Sequence, residues 1–133
     1  MAGLFSDAWM KAFMGEWNKE PELADALAAI NFNSVIGYGF SGEDKPVGVL
    51  AIKDGKATDA GEYTGQELNW DLRATSDNWE KWIEKGIKIA GLGMAYTTGK
   101  LKFAKGDYMA MVKDPRMATP FVKSFSVMGR VKV

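Results

Sequence analysis

The sequence predicts an α+β domain in which helices lie on one face of a mainly antiparallel sheet. Three observations carry this. A helical stripe of large apolar residues opens the chain. Period-two patterning then takes over between Phe32 and Arg73. Helical periodicity returns after Ser76 and is interrupted by one late strand. Strands grouped apart from helices argue α+β, and alternation along the strands argues one buried and one solvated face.

At 133 residues the chain suits a single domain, 1–133, long enough to bury a core. Ser6 and Asp7 start the first helix, with Phe5 and Met10 placed as a hydrophobic staple. Trp9, Met10, Phe13, Met14 and Trp17 recur at helical spacing. Pro21 suits the first position of a second helix whose buried side is Leu23, Leu27 and Ile30.

From Phe32 the alternation places Phe32, Ser34, Ile36, Tyr38 and Phe40 on one face. A turn over Gly42–Pro46 leads to a strand from Val47 to Lys53. Asp54-Gly55 is a hairpin turn into a third strand, Lys56 to Tyr63. Leu68, Trp70 and Leu72 alternate with Asn69, Asp71 and Arg73 in a fourth. Four strands in succession predict an antiparallel meander. Ser76-Asp77-Asn78 starts a helix that turns Trp79, Trp82 and Ile83 inward and stops at Gly86. An apolar, glycine-containing stretch, Ile87–Tyr96, suits a wall beside an apolar space. Lys100–Phe103 is a short strand. Asp107 can cap a helix with Tyr108, Met109, Met111 and Val112, and Pro115 begins a last helix lined by Met117, Phe121, Phe125 and Met128.

Composition restricts the chemistry. The chain has no Cys and no His, which removes thiol nucleophiles, thiolate zinc sites and the commonest general base. Carboxylate pairs such as Glu43/Asp44 and Glu67/Asp71 read as solvated or salt-bridged groups, because nothing isolates them in an apolar pocket. Oxygen ligands for calcium are not clustered, and no cofactor is implied. Gly37–Gly42 matches G-x-G-x-x-G, but a strand and two carboxylates follow where a nucleotide site needs a helix N-terminus. Its glycines read as sites of twist, bulge or close packing.

Charge is uneven. Residues 1–98 carry a net charge of −6 and residues 99–133 a net charge of +6. Two readings stand: the halves complement each other across the fold, or the basic part meets an anionic head group, a coenzyme A moiety or a membrane surface. Lys100, Lys102 and Lys105 suit a solvated strand edge. Without an aromatic platform set in a large basic excess, no nucleic-acid partner is expected. No signal peptide, membrane span or C-terminal lipidation or peroxisomal signal is legible, so a cytoplasmic location is expected. Eight Met and sixteen aromatic residues give a soft interior, either a core filled by Met or an apolar cavity.

Several stretches together resemble the sterol carrier protein 2 family, the sterol-binding domain of nonspecific lipid-transfer proteins. They are Val47–Ile52 with the Asp54-Gly55 turn, the Trp79–Gly86 helix, the small apolar segment to Thr98, and Gly99-Lys100-Leu101-Lys102-Phe103 followed by Gly106-Asp107. The likeness covers about residues 5–128. It implies a five-stranded, mainly antiparallel sheet covered on one face by about five helices, with an apolar tunnel between sheet and helices. It also implies non-catalytic binding and carriage of a sterol, fatty acid, acyl-CoA or related molecule. The Trp-rich first helix and Asn69-Trp70-Asp71 do not map to a known role in that family.

On this reading the expected ligand-binding residues are Ile83, Ile87, Leu92, Met94, Phe103, Met109, Met117, Phe121 and Phe125. The last helix is expected to act as a lid, with Lys123 or Arg130 meeting an anionic head group. The expected partners are a lipid or other apolar small molecule and a transient membrane contact through the basic C-terminal part. A second reading is an accessory subunit of an enzyme acting on hydrophobic substrates. An enzyme in its own right is disfavoured by the missing His and Cys.

Overall fold

The computed structural model describes residues 3–131. Lys132 and Val133, where no lipidation or peroxisomal signal is expected, lie outside the described residues. Helix α1 is Asp7–Lys19. Helix α2 begins as a wide π-helical turn, Pro21–Asp25, and runs into Ala26–Ala28. Strands β1 (Ser34–Phe40), β2 (Gly48–Lys53), β3 (Lys56–Glu62) and β4 (Trp70–Ala74) follow. Then come α3 (Ser76–Lys85), α4 (Ile89–Thr97), β5 (Lys102–Lys105), α5 (Tyr108–Val112) and α6 (Pro115–Met128).

The class is α+β, and the five-stranded sheet has the order β3-β2-β1-β4-β5. Three pairings are antiparallel, but β4 lies parallel to β1, with Ile36 opposite Trp70 and Tyr38 opposite Leu72. The expected meander is therefore corrected. Alternation gives each strand its faces but not its neighbour, and the segment after β3 carries the chain across to the free side of β1. Asn69 fixes that arrival: its Oδ1 accepts from the Val35 N–H at 2.8 Å, and its own N–H donates to the Val35 carbonyl at 2.9 Å.

The outer face of the sheet is also less solvated than expected. Gly37 and Gly39 point to it, and the connecting segments close over them. A Cβ at Gly37 would stand 2.9 Å from Leu68 Cδ1, and one at Gly39 2.8 Å from Pro46 Cα. Asp71 and Arg73 lie on this face and are buried. The Arg73 guanidinium donates to both Asp71 carboxylate oxygens, at 2.6 and 2.9 Å, and to the Glu43 carbonyl at 2.6 Å. Arg73 thus ties the loop after β1 to the sheet, and Asp71 is salt-bridged rather than solvated.

The helices cover the other face. Ser6 caps α1 by accepting from the Trp9 N–H, and Trp9, Met10, Phe13 and Trp17 are buried as their spacing predicts. Asn18 pairs its amide with both backbone groups of Ala57, tying α1 to edge strand β3. Asp54 and Gly55 both take positive φ in the β2–β3 turn, as a two-residue hairpin requires. Thr75, one residue before the expected start, caps α3, and Gly86 ends it at φ +74°. An aromatic group holds the layers together. Phe5 stacks on Tyr38 at 5.4 Å and meets Trp79 edge-on at 5.0 Å, and Trp79 stacks on Phe125 at 6.0 Å. The Trp79 indole N–H is satisfied by the Gly39 carbonyl at 2.8 Å.

Replacing Arg73 with Leu leaves Asp71 buried without its partner. It should destabilise the fold by about 3–5 kcal/mol in urea unfolding. The double substitution Asp71→Leu/Arg73→Met should recover most of that loss.

An apolar cavity between the sheet and helices α1, α2, α5 and α6

The parallel register of β1 and β4 creates a floor on the inner sheet face. Ile36 on β1 and Trp70 and Leu72 on β4 lie side by side there. Around them stand Trp17 of α1, Leu23 and Leu27 of α2, Phe32 before β1, Met111 of α5, and Met117 and Phe121 of α6. These ten residues line an internal cavity and none carries a titratable group. Trp17 sends its indole N–H outward to the Gly55 carbonyl at 2.9 Å, leaving an apolar ring surface to the cavity. Trp70 is held from behind by Gly106, where any Cβ would overlap the indole ring.

The enclosed space measures about 30 Å³, and about 420 Å³ with its open mouth included. A lipid-sized guest needs about 300–1,000 Å³, so it must displace the walls. The walls suit displacement. The π-helical turn of α2 lies on one side. On the other, Met117 and Phe121 flank Pro120, which removes a backbone donor inside α6. Met111 and Met117 add side chains that adapt to irregular shapes.

A clasp holds these two walls together. Glu20, at the head of α2, meets Arg130 at 2.9 Å and Lys123 at 3.9 Å, and Lys123 also meets Glu22 at 3.2 Å. The Glu22 backbone N–H, then the Arg130 guanidinium, hold the Glu20 carboxyl below its usual range against the opposing effect of burial. Lys123 and Arg130, expected to meet an anionic head group, are therefore engaged by carboxylates within the fold. Next to the cavity, Tyr96 and Tyr108 stack at 3.9 Å. Burial raises the Tyr108 phenol pKa, and Tyr96 adds to it.

Of the nine sequence-predicted residues, Met117 and Phe121 line the cavity. Phe103 stands beside it, packed against Trp70 and Phe121. Leu92 and Phe125 are fully buried in the core, Phe125 between Trp79 and Trp82. Ile83 and Ile87 are half-buried away from the cavity, Ile83 in a groove between α3 and the end of α6. Met94 and Met109 face outward, 63% and 50% exposed. The stretch Ile87–Tyr96 is not a cavity wall: Leu92 and Ala95 dock its helix into the core. On the last helix, Phe125, Val127 and Met128 are core residues, while Met117 and Phe121 face the cavity.

The structure adds Trp17, Leu23, Leu27, Phe32, Ile36, Trp70, Leu72 and Met111. Each was legible as an inward residue of its own element. Nothing local distinguished a position facing empty space from one facing another side chain.

No family model matches the chain, and no curated protein sequence matches it. Solved structures do. A crystal structure of sterol carrier protein 2 aligns over 98% of this chain and 100% of its own, with TM-score 0.78 and 19% identity. The solution structure of a conserved hypothetical protein from Thermus thermophilus, described as possibly a sterol carrier protein, covers 95% of this chain and 90% of its own. Its TM-score is 0.68 at 22% identity. A UbiJ-SCP2 ubiquinone synthesis protein covers 90% and 86%, with TM-score 0.58 and 13% identity. The chain has the sterol carrier protein 2 fold.

Two outcomes follow from the walls. Pro120→Ala restores a backbone donor to α6 and should raise the melting temperature while slowing uptake of a fluorescent fatty acid. Glu20 has a lowered folded pKa, so its clasp stabilises fully above the ordinary value of 4.5 and is lost as pH falls through the lower folded one. The melting-temperature gap between wild type and Glu20→Gln should close across that interval.

Proposed function

We propose that this protein binds and carries an apolar, lipid-like molecule without catalysing its reaction. The observation that carries the reading is the cavity lined by ten apolar residues and no titratable group. Such a lining favours a ligand through loss of hydrated surface and gives a reacting group nothing to exchange protons with. Burying about 150 Å² of ligand surface contributes roughly 4 kcal/mol before association costs. The fold of the sterol carrier protein 2 structure agrees with this reading. Sterols, fatty acids, acyl-CoA and related molecules are the candidate ligands, with Met117, Phe121 and the adjoining Phe103 among the residues proposed to meet them.

The second reading is an accessory subunit of an enzyme acting on hydrophobic substrates. The likeness to a UbiJ-SCP2 ubiquinone synthesis protein favours keeping it. Stable co-purification with an enzyme and no extractable ligand would support the accessory role over the free carrier.

Native mass spectrometry of protein from its own cells, followed by solvent extraction, should show a bound mass that is released as an apolar compound. In vitro, Trp17 and Trp70 should transfer excitation to a bound polyene fatty acid. Met117→Glu, which sets a carboxylate at the cavity edge, should weaken that binding by about tenfold or more. Unchanged binding in this variant would remove the cavity as the site.

A further inference from the structure

We propose that the outer face of α4 and α5 docks on the surface of an anionic lipid bilayer. The proposal deepens the carrier reading, on which it rests for its purpose, although docking itself can be measured without a cavity ligand. Helix α4 buries only Leu92 and Ala95. Its other large apolar residues face outward, with Ile89 at 45% and Met94 at 63% exposure, and Met109 of α5 is 50% exposed. The two helices adjoin along the Tyr96–Tyr108 stack, with Gly93 beside the Tyr108 hydroxyl. Ile89, Met94 and Met109 are thus uncovered apolar side chains on two helices that meet at this stack.

Charge selects the occupant. Residues 86–113 carry five lysines and one carboxylate, and that carboxylate, Asp107, is occupied in capping α5. Lys88 precedes α4, Lys100 follows it, Lys102 and Lys105 lie on edge strand β5, and Lys113 ends α5. All five are exposed, and none forms an ion pair among the described residues. Apolar side chains set among lysines match an interface where methylene and thioether groups enter the acyl boundary and ammonium groups meet phosphates. A second copy packed face to face would bring like charges together. No helix of the described residues is long and apolar enough to cross a membrane, so the contact is with the surface.

The position fits ligand exchange. On α5, Met111 lines the cavity while neighbouring Met109 and Ala110 face outward. A bilayer against this face would be separated from the cavity by one short helix.

The test is co-sedimentation with vesicles of phosphatidylcholine alone and of phosphatidylcholine with about 30% phosphatidylserine. Wild type should pellet with the anionic vesicles, release in high salt, and leave the neutral ones. Met94→Glu/Met109→Glu, both at exposed sites, should lose at least tenfold in vesicle partition with an unchanged melting temperature. Lys100→Gln and Lys113→Gln should each weaken it about fivefold. Equal pelleting with neutral vesicles, or undiminished binding by the methionine variant, would overturn the proposal. So would a dimer in sedimentation velocity that the methionine variant abolishes, since the face would then join two copies. Fatty-acid binding in the same variants separates the two readings. Its retention with lost docking supports this surface, and its absence in wild type counts against the carrier reading alone.

Discussion

The parallel pairing of β4 with β1 is the constraint from which the cavity follows. It sets Trp70 and Leu72 beside Ile36 and Tyr38 on the face that the helices cover. Had β4 continued the meander beside β3, Trp70 would lie at the far edge of the sheet and the floor would be lost. Asn69 makes the pairing specific by exchanging hydrogen bonds with Val35, and the buried Asp71–Arg73 pair holds the returning loops over the outer face. The Asn69-Trp70-Asp71 run therefore has three structural roles: register, floor and anchor.

The interior divides into a rigid and a soft part. Phe5, Tyr38, Trp79, Trp82 and Phe125 form an interlocked aromatic group whose indole at Trp79 is also hydrogen-bonded to β1. Next to it, the cavity is walled by a π-helical turn, a proline-interrupted helix and two methionines. Aromatic packing fixes the frame, because dense interiors resist displacement. The soft side can yield at lower cost, because its helices lack part of the regular hydrogen-bond ladder. Phe125 and Phe121, one turn apart on α6, belong to different parts, so the helix is anchored at one end and adaptable at the other.

Electrostatics follow the same division. Part of the acidic and basic asymmetry is resolved inside the fold, where Glu20 and Glu22 hold Lys123 and Arg130. Five exposed lysines, Lys88, Lys100, Lys102, Lys105 and Lys113, gather around α4, β5 and α5, the elements on which Ile89, Met94 and Met109 are uncovered. The reading in which acidic and basic parts complement each other thus holds for Glu20, Glu22, Lys123 and Arg130, while the exposed lysines are those the proposed bilayer contact would use.

By itself the sequence determined the class, the caps, the turns and the inward side of each element. Those are local properties: Ser6, Asp54-Gly55, Gly86 and Asp107 act through their own backbone neighbours, and periodicity of two or 3.6 fixes a face. The family resemblance carried by Val47–Ile52, Trp79–Gly86 and Gly99–Asp107 together added the five-stranded architecture. The tertiary structure decided which strand β4 would join, that Leu92 and Phe125 would be core, and that Met94 and Met109 would face outward. It also placed the cavity between α2 and α6 rather than beside Ile87–Tyr96. An inward-facing residue has the same sequence signature whether it meets a packed side chain or empty space. The difference lies in how elements distant in the chain converge, and only their packing sets that.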